Sequence, residues 1–288
     1  MLEKKFVLGS ANFSKGYGIK RGKGISLLQL NKIAQVLKNN NINFVDTALS
    51  YPGVEKKIAL SKLKNFEVYT KILKNDLKNK SSIQTTHLFL SSLNTLKKKS
   101  FHTVYFHKAK DLLEQDGENF YNSIVHLKKI NLTKKIGISV YSPEELKKLL
   151  KKYSFDVIQI PLNVFDRRFL KHNYLNRLKK KGIEIHVRSI FLQGILLLGN
   201  KKVPKYFKRW SKLFKDWDNW NLENNQNKLS TCINFIKSIK HVDKVILGIS
   251  NYNQINEIIN CCQSNRTKYP KKIFSKSKNL VDPRLWPK

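Results

Sequence analysis

Eight short apolar runs alternate with helix-like stretches along this chain, and that alternation constrains its fold more than any other feature. The runs fall at 6–12, 44–47, 67–72, 103–107, 135–140, 157–162, 183–189 and 244–249. Most are apolar throughout instead of at every second position, which marks strands covered on both faces of a parallel sheet. The intervals carry helix signals. Ser26 and Gln29 stand as a capping box around Leu27, with Leu30, Ile33, Ala34 and Leu37 following at helical spacing. Ser142–Pro143–Glu144–Glu145 combines a cap, a proline in the first turn and two acids near the positive end of the helix dipole. Leu146, Leu149, Leu150 and Tyr153 then recur at helical spacing, and Gly182 closes the helix that starts near Phe169.

Eight strand–helix units without a break in composition predict an α/β chain folded as one (β/α)₈ barrel over residues 1–288. The alternative, a doubly wound open sheet, would carry a glycine-rich phosphate loop after its first strand. Neither GxGxxG nor GxxxxGK[ST] occurs. One interval, 190–228, is too long for a simple connection and holds Trp210, Trp217 and Trp220. It is read as a long loop that folds over a ligand at the barrel mouth or anchors the helix layer. The tail 270–288 ends in a large apolar anchor, Trp286, and is expected to dock.

Composition narrows the function classes. Hydrophobic residues make up 41 % of the 288, enough for a sizeable core, and no stretch is apolar for long enough to span a membrane. The opening residues lack the pattern of a signal peptide, so a cytoplasmic setting is expected. Cys232, Cys261 and Cys262 show no metal-ligand spacing and read as reduced thiols; no metal site is expected. The net charge of +36 would suit a polynucleotide binder. The 56 basic residues, set against 20 acids, are 48 lysines and only 8 arginines, and the lysines are spread along the whole chain. Bidentate reading of phosphates and bases favours arginine in a patch, so no specific nucleic-acid partner is expected.

The strand ends carry the chemistry. Asp46 lies at the end of the second run, Lys71 at the end of the third and His107 at the end of the fourth, with Tyr51 five residues after Asp46. In a barrel, all C-terminal strand ends meet on the face where active sites sit. Each residue alone has an ordinary structural role: a helix cap, a snorkelling lysine, a rim aromatic, a hydrogen-bonded histidine. Together they suit carbonyl chemistry. Asp46 would hold Lys71 as a cation, and that cation would favour phenolate at Tyr51. Tyr51 could then protonate a carbonyl oxygen as hydride reaches the carbon, with His107 orienting that oxygen.

The stretches LGSANF, FVDTALSY, VYTK, VYFHKAKDLL, KKIGIS, FDVIQIPLNVFD, IHVRSIFLQGILL and VILGISNYNQINEI resemble the aldo-keto reductase family, in order and over nearly the whole chain. The resemblance implies a (β/α)₈ barrel and a catalytic set of Asp46, Tyr51, Lys71 and His107. It implies an NADP(H) or NAD(H) site without a Rossmann loop. Ser139 and Gln159 fall where the family holds the nicotinamide carboxamide, and Asn163 near the same strand end. The family's asparagine after that serine is Val140 here. Arg188 stands where the family often stacks a tyrosine on the nicotinamide, and Gly194 lies in the loop beyond it. Gly248, Ser250 and Gln254 match the adenine-phosphate region. Many NADPH-preferring members carry a basic residue at the position of Gln254. The implied partner is a small carbonyl compound: an aldehyde, a ketone, or a sugar or nucleotide-sugar of the kind handled by bacterial surface-sugar members. A nucleotide-sensing regulatory subunit with little turnover is the alternative, since potassium-channel β subunits use this fold chiefly as a binding module.

Overall fold

Strand β1 (Phe6–Gly9) lies between β2 (Phe44–Asp46) and β8 (Lys244–Gly248), and this contact of first with last strand closes the sheet. Between them run β3 (Glu67–Ile72), β4 (Phe101–Phe106), β5 (Thr133–Ser139), β6 (Val157–Pro161) and β7 (Glu184–Arg188), each parallel to the next in chain order. The computed structural model describes residues 2–14, 16, 24–77, 81–263 and 268–287. The expected (β/α)₈ barrel is therefore the fold.

The intervening helices are α1 (Leu27–Asn39), α2 (Val54–Leu60), α3 (Ser82–Leu96), α4 (Ala109–Leu113), α5 (Gly117–Lys129), α6 (Pro143–Leu149), α7 (Tyr174–Lys180), α8 (Ser211–Glu223), α9 (Lys228–Lys237), α10 (Tyr252–Gln263) and α11 (Lys278–Val281). Their apolar stripes, such as Leu30, Ile33, Ala34 and Leu37 on α1, join one core cluster with the outward faces of the strands. The capping box at Ser142 and Glu145 forms in full, which starts α6 sharply. At α1 only half of it forms. Ser26 accepts from the Gln29 backbone, while the Gln29 side chain accepts from the Tyr252 backbone and ties α1 to α10.

Side chains, not solvent, fill the barrel. Val7, Tyr69, Tyr105, Val157 and Ile246 form an interior cluster of their own. The Tyr105 hydroxyl meets His186 Nδ1 at 2.7 Å inside the barrel. Gly137 makes room for Tyr105: a Cβ there would fall 2.4 Å from the ring.

Several boundaries differ from the sequence expectation, and three of them have a visible cause. β1 stops at Gly9 because the chain turns into a 3₁₀ segment, Ala11–Phe13. β4 begins at Phe101, where Phe101 pairs with Thr133. α7 begins at Tyr174, since His172 and Asn173 adopt positive φ (53° and 55°) and break the preceding 3₁₀ segment.

The 190–228 interval also departs from the expected loop. It holds 3₁₀ segments and the helix α8, whose Phe214, Trp217 and Asn221 share one buried face. Trp217 is fully buried, donates to the Leu196 carbonyl at 2.9 Å and packs edge-on against Phe165 just past β6. The tail docks onto the same segment. Trp286 meets Phe207 edge-on at 4.9 Å, and Tyr206 donates to the carbonyl of Asn279 at 3.0 Å.

Candidate active site

Register places the predicted residues. Asp46 pairs with Tyr69 on β3, and Lys71 stands two residues further on, opposite Tyr105 of β4. This stagger lets the Lys71 ammonium reach back to the Asp46 carboxylate, forming an ion pair through Oδ1. Lys71 also donates to the Thr47 carbonyl at 3.0 Å. Both partners are sealed from water, with Asp46 4 % exposed and Lys71 3 %. Burial holds the Lys71 pKa below its ordinary value, and the Asp46 charge opposes that shift. An isolated charge would be far more costly at such depth than this paired, hydrogen-bonded one.

Gln159 completes the cradle, donating through Nε2 to Asp46 Oδ2 at 2.9 Å. Its register partner on β5 is Ser139, so both residues expected at the nicotinamide amide lie side by side, next to Asp46. Asn163 is engaged elsewhere. It donates to the Ser189 carbonyl and accepts from the backbone of Phe165 and Asp166, which shapes the turn after β6.

Tyr51 sits on the loop between β2 and α2, half-buried, with the Lys71 ammonium 6.0 Å from its ring centroid. His107 lies just past β4, anchored by its backbone N–H to the Ile72 carbonyl at 2.9 Å. Its ring meets Tyr51 edge-on, with centroids 6.0 Å apart. Burial lowers the His107 pKa to about 3, helped by the cations Lys71, Arg188 and Lys108. The imidazole is thus neutral at physiological pH and can donate one N–H. The four residues expected to share one site do converge.

Arg188 ends β7 and lies over the Tyr141 ring, with Cζ 4.1 Å from the ring centroid. Its Nη2 donates to the Val140 carbonyl at 3.2 Å. The Val140 side chain is fully buried, so it offers nothing to a ligand in place of the family's asparagine. In the sequence Tyr141 is marked only as an aromatic residue two positions beyond the end of β5. Arg284 of the docked tail covers the same ring, with Cζ 3.8 Å from its centroid, which brings the tail to this rim.

The expected phosphate region is partly self-satisfied. Ser250 donates its backbone N–H to Gln254 Oε1 at 2.7 Å, and Gln254 donates its own N–H to Asn251 Oδ1 at 3.1 Å. Gly248 is exposed beside Asn12, whose amide donates to the Ile249 carbonyl at 3.1 Å and ties the β1 and β8 loops together. Gly194 has a φ of +88°, in a turn where Leu192 and Gln193 are also left-handed.

Nine buried side-chain atoms lack a hydrogen-bond partner among the described residues. Four of them, Ser10 Oγ, Thr47 Oγ1, His107 Nδ1 and Arg188 Nε, sit at or just past C-terminal strand ends. Buried polar groups are rarely left unpaired, so their gathering at one rim fits a polar ligand such as a nicotinamide cofactor. No group of three or more His, Cys, Asp or Glu able to hold a metal occurs among the described residues. No helix among them is long and apolar enough to cross a membrane.

A closed parallel barrel with a carboxylate, an ammonium group, an imidazole and a phenol at one rim is the framework of a barrel oxidoreductase. A family model described as the aldo/keto reductase family matches residues 5–277, and the chain belongs to that family. Solved structures share the fold. The aldo-keto reductase AKR11C1 from Bacillus halodurans, in its holo form, superposes with a TM-score of 0.68 at 15 % identity, covering 93 % of this chain and 94 % of that one. PA4992 from Pseudomonas aeruginosa, assigned as an aldo-keto reductase, superposes with a TM-score of 0.64 at 16 % identity, covering 89 % and 88 %. No functionally curated protein matches the sequence. Family membership supports a carbonyl oxidoreductase of the general NAD(P)H-dependent kind.

Proposed function

We propose that this protein reduces the carbonyl of a small molecule to an alcohol, with Tyr51 as general acid and NADP(H), or else NAD(H), as cofactor. The observation that carries this reading is the buried Lys71–Asp46 pair set 6.0 Å from the Tyr51 ring, with neutral His107 on the ring's edge. Ser139 and Gln159 would hold the nicotinamide amide, with Arg188 and Gly194 near the ring and Gly248, Ser250 and Gln254 near the adenine phosphate. When bound, the cofactor supplies the hydride that reaches the carbonyl carbon.

The residues of this chain manage the oxygen. His107, neutral, donates a hydrogen bond to it and fixes its direction. Tyr51 gives its phenol proton to the same oxygen as negative charge develops there, so the product leaves as a neutral alcohol and the phenol is left as phenolate. Lys71 stabilises that phenolate, and Asp46, held by Gln159, keeps Lys71 in place. Aldehydes, ketones and sugars, nucleotide-linked ones included, are the candidate substrates. The three free cysteines accord with a reducing, cytoplasmic setting.

The test follows oxidation of NADPH and NADH against a panel of aldehydes, ketones and sugars. Carbonyl-dependent oxidation by at least one compound is expected. Tight cofactor binding with no carbonyl consumed would replace this reading with nucleotide sensing.

A further inference from the structure

We propose that Arg188 is the anchor for an oxyanion carried by the substrate, so that the preferred carbonyl compounds bear a carboxylate or phosphate. This rests on the carbonyl-reduction reading and narrows it.

Arg177 and Arg209 are exposed, so water satisfies them, whereas Arg188 is half-buried like Arg167 and Arg168. Arg167, half-buried, donates to four backbone carbonyls, those of Val164, Pro270, Lys271 and Ile273. Arg168, also half-buried, is paired through two nitrogens with Asp166. Arg284, which shares Tyr141 with Arg188, is neutralised by Asp282 and Glu145. Arg188 has one carbonyl bond, at 3.2 Å, and no carboxylate within ion-pair distance among the described residues. Its Nε is buried without a partner.

A guanidinium is costly to withdraw from water without a counter-charge. Arg188 is also placed beside other cations. Its charge, with that of Lys71, disfavours protonation of His107, and it disfavours protonation of Lys71 itself. Asp46, the carboxylate of this group, is already engaged by Lys71 and Gln159. The rim therefore carries an excess of positive charge next to the reacting oxygen.

The Arg188 fork is held in place by features that do not neutralise it. The Tyr141 ring lies against it, the Val140 carbonyl fixes one nitrogen, and Arg284 of the tail packs on the same Tyr141 ring. A planar, pre-oriented, uncompensated guanidinium matches the bidentate geometry of a carboxylate or phosphate. Either the substrate or the cofactor pyrophosphate could bring such a group; we assign it to the substrate, because the Arg188 charge is felt at His107 and Lys71, the groups placed around the carbonyl in the proposed reaction.

The test compares succinic semialdehyde with butanal, and glyceraldehyde 3-phosphate with glyceraldehyde, in the unaltered protein and in Arg188→Met and Arg188→Lys. The charged member of at least one pair is expected to be favoured in kcat/KM. The charged-to-neutral ratio should fall by about 10- to 100-fold in Arg188→Met, the range of a lost charge-assisted hydrogen bond, and recover in part in Arg188→Lys. A ratio unchanged in Arg188→Met overturns the inference, and a loss of cofactor affinity with that unchanged ratio reassigns the anion to the cofactor. Calorimetric titration of the cofactor-loaded protein with succinate and inorganic phosphate reads the same subsite without turnover. Binding of at least one that Arg188→Met abolishes supports the inference. No binding of either, or binding that survives the substitution, overturns it. If no carbonyl compound is reduced at all, the catalytic reading fails while this binding result still decides the anion site.

Discussion

Gln159 donates its amide to Asp46 at 2.9 Å, joining β6 to β2 across the mouth of the barrel. With Lys71 on Oδ1 and Gln159 on Oδ2, both carboxylate oxygens of Asp46 are occupied from inside the protein. The contact links a residue assigned by resemblance to the cofactor with the ion pair whose ammonium lies 6.0 Å from the Tyr51 ring centroid. Disturbance of either end should be felt at the other.

Lys71→Met strands a buried carboxylate. It should lower the unfolding free energy by about 3–5 kcal/mol, the usual result of removing one partner of a buried pair. Adding Asp46→Asn removes the stranded charge, so the double variant should be more stable than Lys71→Met alone. Urea unfolding measures both. Strictly additive losses would show that the two side chains do not interact.

Tyr51→Phe keeps the ring against His107 and removes only the proton donor. Turnover should fall by about 10²–10⁴-fold, the range for a positioned general acid, while fluorescence titration shows the cofactor binding as before. Turnover within tenfold of the unaltered protein would remove Tyr51 from the mechanism.

His107 should make the protein less stable in acid. Its folded-state pKa lies near 3, below the ordinary value of 6.5. Between those values the unfolded chain binds a proton that the folded chain refuses. Stability therefore falls as pH drops from about 6.5 towards 3, by at most about 1.4 kcal/mol per pH unit from this one group. Above 6.5 the contribution is flat. His102, lowered to about 4 chiefly by burial, acts in the same direction. Denaturant melts across this range should show a shallower slope in His107→Gln. An imidazole resonance of His107 titrating near pH 6.5 would contradict the burial argument.

Gly137→Ala should be disproportionately damaging for one added methyl. The new Cβ would fall 2.4 Å from the Tyr105 ring and 3.0 Å from the Val157 carbonyl. Tyr105 is fully buried and tied to His186, so it has no room to yield. A loss of about 1–3 kcal/mol is expected from overpacking. Combining the change with Tyr105→Phe leaves the ring in place and should not restore stability, whereas Tyr105→Leu should in part. Equal melting temperatures for Gly137→Ala and the unaltered protein would refute the contact.

The eight strands were legible in the chain because burial on both faces writes a continuous apolar run, a signal that needs no knowledge of neighbours. Asp46, Lys71 and His107 were legible for a related reason: a polar or charged residue ending such a run stands out locally. The helix α8 was not, because Phe214 and Trp217 stand among lysines, asparagines and aspartates, and the meaning of that stripe depends on Phe165 lying opposite. The half-formed capping box at Ser26 failed for the same kind of reason, since Gln29 was recruited by Tyr252, 223 residues away.

Periodicity and strand-end chemistry thus pointed to the barrel and to its catalytic candidates, since both are properties of neighbouring residues. Which side chains share the interior, that Gln159 steadies Asp46, and that Arg188 rests on Tyr141 without a counter-charge among the described residues followed from strand stagger and closure. Those depend on distances between residues far apart in the chain, and such distances exist only once the sheet has closed on itself.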